Sequence, residues 1–223
     1  MAQESIFERS IDMMGVRCNF REFHPCSIYR ISLNQNNDNN LFLIPNINKQ
    51  SFEKTIGMVI TKLDTLAKKY KDIYIFNFCH MNNTMLDIVN KIDEEKTNDM
   101  YDMFIKKWAG SINNIISNLL HISNVELLGV GNGNMIILAM IGMNNIYTSI
   151  YITNIFHNFD IKKLTNKKIN CYFALEYDDI DTYYYNDIKD YLDNNHIQYK
   201  LRIYDNSDGF IIHPDLLNDI ALI

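Results

Sequence analysis

Apolar and polar positions along this chain change period in blocks, and the blocks predict the elements. Ser27 to Leu33 sets Ile28, Arg30 and Ser32 against Tyr29, Ile31 and Leu33, an alternation that predicts a strand. Leu41 to Ile44 is a short apolar run stopped by Pro45, and Asp72 to Phe78, Asn124 to Val130, Ile146 to Thr153, Ile169 to Glu176 and Gln198 to Tyr204 predict further strands. Helical spacing fills the gaps between them. Ser51 is the predicted N-cap of a helix reaching about Tyr70, with Ile56, Val59, Ile60, Leu63 and Leu66 on one face. Asn98 to Leu120 predicts a long helix whose stripe is Met103, Trp108, Ile112, Ile115, Ile116 and Leu119. Shorter helices are predicted over Met135 to Met143, Tyr184 to Asn194 and Pro214 to Ala221. Strands separated by helices at this spacing predict an α/β fold, a mostly parallel central sheet with helices on both faces. Residues 34–40, rich in Asn, predict a surface turn. No period is readable in residues 1–26, which are expected to form an irregular N-terminal arm ahead of a single domain over residues 27–223.

The densest signal lies at residues 124–143, where an apolar strand meets Gly129-Val130-Gly131-Asn132-Gly133-Asn134 and then a second, longer apolar run. Small residues on either side of a tight turn let a strand and a helix approach closely. Gly129 and Gly133 bracket position 131 with the spacing of a nucleophile elbow, G-x-S-x-G, but the middle position is Gly131. A residue without oxygen or sulfur cannot form a covalent acyl intermediate. A strand followed by GxGxG and a helix also fits a dinucleotide site, with a pyrophosphate on the helix N-terminus. Asn134 occupies the position of the third glycine, however, and the following strand, Ile146 to Thr153, has no carboxylate for a ribose. Nucleotide binding is therefore the minor alternative.

Composition narrows the classes further. The chain has 223 residues, enough for one sizeable core, and a net charge of −6, which gives no electrostatic reason to expect nucleic acid or an anionic membrane as partner. Cys18, Cys26, Cys79 and Cys171 are widely spaced, so no metal or other cofactor is expected, and the thiols are expected to be reduced. The first residues lack an apolar signal core and no run reaches the length of a membrane span, so a cytoplasmic location is expected. Abundant Asn, Ile, Lys and Tyr fit coding by an AT-rich genome, such as that of a protist or a large DNA virus.

From about residue 27 onward the order of parts resembles the α/β-hydrolase fold, most closely its small, lidless dienelactone hydrolase and carboxylesterase type. The resemblance implies a catalytic triad, and matches it residue by residue to a degenerate set. Gly131 stands at the nucleophile, Asp179, within Phe173 to Asp179, at the acid, with Asp178 and Asp181 as the alternatives in register, and Asp208, in Asp208-Gly209-Phe210, at the histidine base. It implies a vestigial oxyanion hole at Asn46, following Leu43-Ile44-Pro45, and at Asn132, the residue after the elbow apex. His80, beyond a strand end, and His213, beside Pro214, are the candidate pocket residues. With nucleophile and base both replaced, the expected function is that of a pseudoenzyme, a catalytically inactive hydrolase scaffold reused for binding. Its expected partner is another protein or its own copy, with a small molecule as a further candidate. The alternative is an active esterase with a non-standard site.

Overall fold

The structure, a computed structural model, describes residues 9–23, 26–46, 49–78, 94–143, 146–153, 161–164, 169–176, 182–204 and 212–223. Its strands are β1 (Arg9–Met13), β2 (Val16–Phe23), β3 (Cys26–Ser32), β4 (Asn39–Ile44), β5 (Tyr70–Asn77), β6 (Val125–Val130), β7 (Tyr147–Thr153), β8 (Asn170–Glu176) and β9 (Tyr199–Tyr204). The helices are α1 (Lys49–Thr61), α2 (Leu63–Leu66), α3 (Glu94–Asn114), α4 (Gly133–Ile141), α5 (Thr182–Asn194) and α6 (Pro214–Leu222), with a π-helical turn, Ile115–Leu119, extending α3. All nine described strands form one sheet in the order β1-β2-β3-β5-β4-β6-β7-β8-β9. From β5 to β9 every pairing is parallel, whereas β1, β2 and β3 meet each other and β5 antiparallel. This is an α/β-hydrolase-like fold, a mostly parallel sheet with helices on both faces. Among the described residues no helix is long and apolar enough to cross a membrane.

Alternation along the strands sorts the core into two layers. Ile28, Phe42, Phe76, Leu127, Ile150 and Phe173 face the side covered by α3, α4 and α5, where Trp108, Ile112, Ile137 and Leu192 pack against them. Leu41, Leu43, Ile73, Leu128, Val130 and Tyr151 face the other side, under Phe52, Ile56 and Val59 of α1 and Leu216, Leu217 and Ile220 of α6. Burying this apolar surface is the main force that holds helices to sheet.

Several expectations are corrected by these elements. Residues 9–23 are no irregular arm: they form a hairpin that adds two antiparallel strands to the sheet. In β2 the apolar Val16, Cys18 and Phe20 alternate with Arg17, Asn19 and Arg21 and turn toward one core layer, a half-buried strand period that the expectation of an irregular arm did not assign. The helix after Pro45 begins at Lys49, so Ser51 lies inside it and is not its cap. It breaks at Lys62 and ends with α2 at Leu66, because Tyr70 belongs to β5. Met103 is 56% exposed and falls outside the packed stripe of α3.

At the beginning of the parallel strands the sheet buries charge. The Glu126 carboxylate accepts hydrogen bonds from the hydroxyls of Tyr70 (2.5 Å) and Tyr151 (2.9 Å) and pairs with Lys69 Nζ at 2.9 Å. Lys69 also donates to Tyr151 Oη and to the Ile220 carbonyl, which ties α6 to the sheet. Burial, and then the neighbouring charge of Glu126, holds the Tyr151 hydroxyl well above the usual phenol range, so it remains a donor. Removing one partner of a buried pair strands the other. We expect Glu126→Ala to lower unfolding free energy by about 3 kcal/mol or more in urea titration, with Lys69→Met in the same background recovering part of the loss.

Candidate functional site at the glycine turn

The strand order reverses at β4. The chain leaves β4 through α1 to β5 on one side, then returns through α3 to β6 on the other. Such a switch point opens a crevice beyond the C-terminal ends of the two strands, where ligands bind in open α/β sheets. Ile44 is level with Gly129, which sets Asn46 beside Gly131.

The turn between β6 and α4 is sharp. Gly131 has φ +55°, in the left-handed region that a side chain tolerates poorly, and Asn132 is already helical at φ −62°, ψ −19°. The Gly131 carbonyl accepts from Asn134 N–H at 3.1 Å and the Asn132 carbonyl from Met135 N–H at 3.2 Å, which starts α4 at once. The flanking glycines are explained by contact. A Cβ on Gly133 would overlap the carbonyl oxygen of Ile44, and one on Gly129 would overlap the Asn134 side chain. The three glycines singled out by their spacing, Gly129, Gly131 and Gly133, all lie at this turn between β6 and α4.

Two neighbours hold the apex. On the β7 side, the Thr153 carbonyl accepts both Gly131 N–H (3.2 Å) and Asn134 Nδ2 (2.6 Å). On the β4 side, Asn46 Oδ1 accepts the Asn132 N–H at 3.3 Å. That N–H is the main-chain donor which, in the hydrolase resemblance, would face a developing oxyanion. Here a side-chain amide oxygen of the same chain, itself buried, stands on it. Asn134 and Thr153 were missed by sequence reasoning; a buried amide in the first turn of an otherwise apolar helix was the available signal.

His213 is the N-cap of α6. Its Nδ1 accepts from Asp215 N–H at 3.2 Å and its ring stacks on Tyr204 at 4.7 Å, so its described contacts are those of a capping and packing residue. Asp179, Asp208 and His80 lie outside the described residues, as does Cys79. The described thiols, Cys18, Cys26 and Cys171, are buried and unpaired in disulfides. Burial pushes them up to about 11, about 12 and about 12 respectively, far from a nucleophilic thiolate at neutral pH. Among the described residues no group of three or more His, Cys, Asp or Glu side chains is placed to hold a metal ion.

Neither a protein-family model nor a curated protein matches the sequence. Solved structures do. A dienelactone hydrolase from Anabaena variabilis superimposes with a TM-score of 0.61 over 96% of this chain and 92% of its own, at 9% identity. Est1E from Butyrivibrio proteoclasticus gives 0.56 over 96% and 95% at 12% identity. MGS-MChE2, an α/β-hydrolase enzyme from the sediment metagenome of the Mar Chica lagoon in Morocco, gives 0.58 over 91% and 95% at 13% identity. At these identities the likeness is one of fold.

Two measurements check this geometry. Gly131→Ala should destabilise by about 1 to 2 kcal/mol in denaturant titration, the cost of a Cβ at positive φ. Gly133→Ala should lose more, because backbone would have to move, while Gly142→Ala, with nothing within 4 Å of the added carbon, should be close to neutral. In the native protein at pH 8, iodoacetamide followed by peptide mapping should leave Cys18, Cys26 and Cys171 unmodified, and brief unfolding should expose all three.

Proposed function

We propose that this protein is a hydrolase-like scaffold without ester turnover that works by binding, with another protein as its main partner. One observation carries the proposal. At the apex of a well-formed elbow, Gly131 offers no nucleophile, and the adjacent main-chain donor, Asn132 N–H, is already satisfied by Asn46. Acyl transfer needs an attacking atom and an unoccupied donor aimed at the oxyanion. Neither requirement is met at this turn. What remains is what packing demands: Gly129 against Asn134, Gly133 against Ile44, and strand against helix. The buried thiols offer no substitute nucleophile. In the hydrolase resemblance, Asp208 in place of the base would set a second carboxylate near Asp179, and neither group could activate a missing hydroxyl.

Purified protein should be unlabelled by fluorophosphonate probes and should hydrolyse short p-nitrophenyl esters no faster than a boiled control. Stoichiometric labelling, or turnover abolished by mutation of His80, Asp179, Asp208 or His213, would establish instead an esterase with a non-standard site. Gly131→Ser combined with Asp208→His should remain nearly inactive while Asn46 is present, since one lost oxyanion donor costs ~2.7 to 4 kcal/mol of transition-state stabilisation.

A further inference from the structure

The edge of the sheet at β9 carries features that the elbow does not use. Among the described residues β9 pairs only with β8. Cys171 is level with Tyr199 and donates its N–H to the Gln198 carbonyl at 3.2 Å. In a parallel ladder that pattern turns the backbone groups of Lys200, Arg202 and Tyr204 toward β8 and those of Leu201 and Ile203 outward. The side chains alternate in step. Leu201 packs with the α5 layer and Ile203 follows on the same face, yet Ile203 is 49% exposed. Lys200 and Arg202 point to the α6 face, where Lys200 lies over the Tyr172 ring and Arg202, its side chain 65% exposed, pairs with Asp219 at 3.0 Å. Two hollows flank this edge. One, of about 340 Å³, lies along Asn170, Gln198, Tyr199 and Lys200; the other, of about 70 Å³, lies between Arg202, Tyr204 and Ile223, itself 46% exposed.

The charges decide what can pair here. A second copy adding its own β9 antiparallel through a two-fold axis normal to the sheet would keep each residue on its face. Lys200 and Arg202 would then stand opposite Lys200 and Arg202, and like charges directly opposite are destabilising. An acidic extended segment meets Lys200 directly and shares Arg202 with Asp219. We propose that the β9 edge receives an extended segment of a different, acidic protein as an added strand, its carboxylates at alternate positions facing Lys200 and Arg202 and its apolar residues facing Leu201 and Ile203. Main-chain hydrogen bonds to Leu201 and Ile203 supply the pairing, and Lys200, together with the exposed side of Arg202 left by its pair with Asp219, supplies the selectivity. The proposal names a partner chemistry for the binding role argued above, but it does not depend on the elbow being inactive.

The test uses the full chain and a short fluorescent peptide alternating Glu and Val, followed by anisotropy. Its counterparts alternate Lys and Val, or carry N-methylated valines that cannot complete a ladder. The Glu peptide should bind about threefold more tightly than the Lys peptide at low salt, the reach of one exposed ion pair and one shared with Asp219. It should weaken as salt rises, bind less to Lys200→Glu with Arg202→Gln, and slow hydrogen exchange at the Leu201 and Ile203 amides. Equal binding of the Glu and Lys peptides, undiminished binding of the N-methylated peptide, or no binding of the Glu peptide at all would overturn the proposal. So would a homodimer that dissociates on Ile203→Lys. Ester hydrolysis, measured on the same samples, reports on the elbow separately, so the two readings fail independently.

Discussion

The carbonyl of Ile44 and the first helical residue after the elbow approach each other with no room for a carbon between them. Much of the rest follows from that contact. It requires glycine at 133, and it pulls the end of β4 against the start of α4. It also carries Asn46 to the level of the apex. Because β4 sits between β5 and β6, this contact lies at the strand where the chain turns back across the sheet. Whatever chemistry it carries, the fold needs the shape of this turn, since the shape seats α4, nearly all of whose residues are buried, against two strands at once.

The opposite end of the sheet is held differently. There Lys69, Glu126, Tyr70 and Tyr151 share hydrogen bonds in a buried cluster, and Arg30 meets Asp72 at 3.1 Å where the antiparallel strands join the parallel ones. Charges this deep offset little more than their own desolvation, so their value lies in uniqueness. A one-residue slip of β5 against β3 would leave Asp72 facing away from Arg30, and a slip of β6 would separate Glu126 from both tyrosines. Steric closeness thus fixes one end of the sheet, and polar matching fixes register at the other.

The strands of the parallel half were legible because they are short apolar runs bounded by turn residues, and the elbow because glycine spacing records close contact. What sequence could not supply were relations between distant positions. Glu126 looked like one carboxylate in an apolar strand, and only the fold brings Lys69 and Tyr151 to it. Asn46 looked like a lost glycine, yet its side chain reaches a main-chain donor 86 residues away. The hairpin over residues 9–23 carries a strand period of its own, Val16, Cys18 and Phe20 against Arg17, Asn19 and Arg21, but in two short strands set among charged residues it was not assigned. His213 was a pocket candidate because it lies five residues beyond the position of the base in the hydrolase resemblance, and Pro214 beside it, which marks a helix start, pointed instead to the capping and packing contacts it makes.

The bond from Asn132 to Asn46 also bears on how this chain can change over generations. A serine arising at position 131 would meet a strained turn and an oxyanion donor already engaged, so on its own it would lower stability and return little. A glycine arising at position 46 would release a donor with no nucleophile beside it. Under the proposed reading neither step is rewarded alone, nor are both together while Asp208 stands in place of the base, which makes the combination epistatic. The left-handed backbone at Gly131 and the bond from the Asn132 N–H to Asn46 thus tie two positions far apart in sequence into one unit, and a substitution at either is answered for by the other.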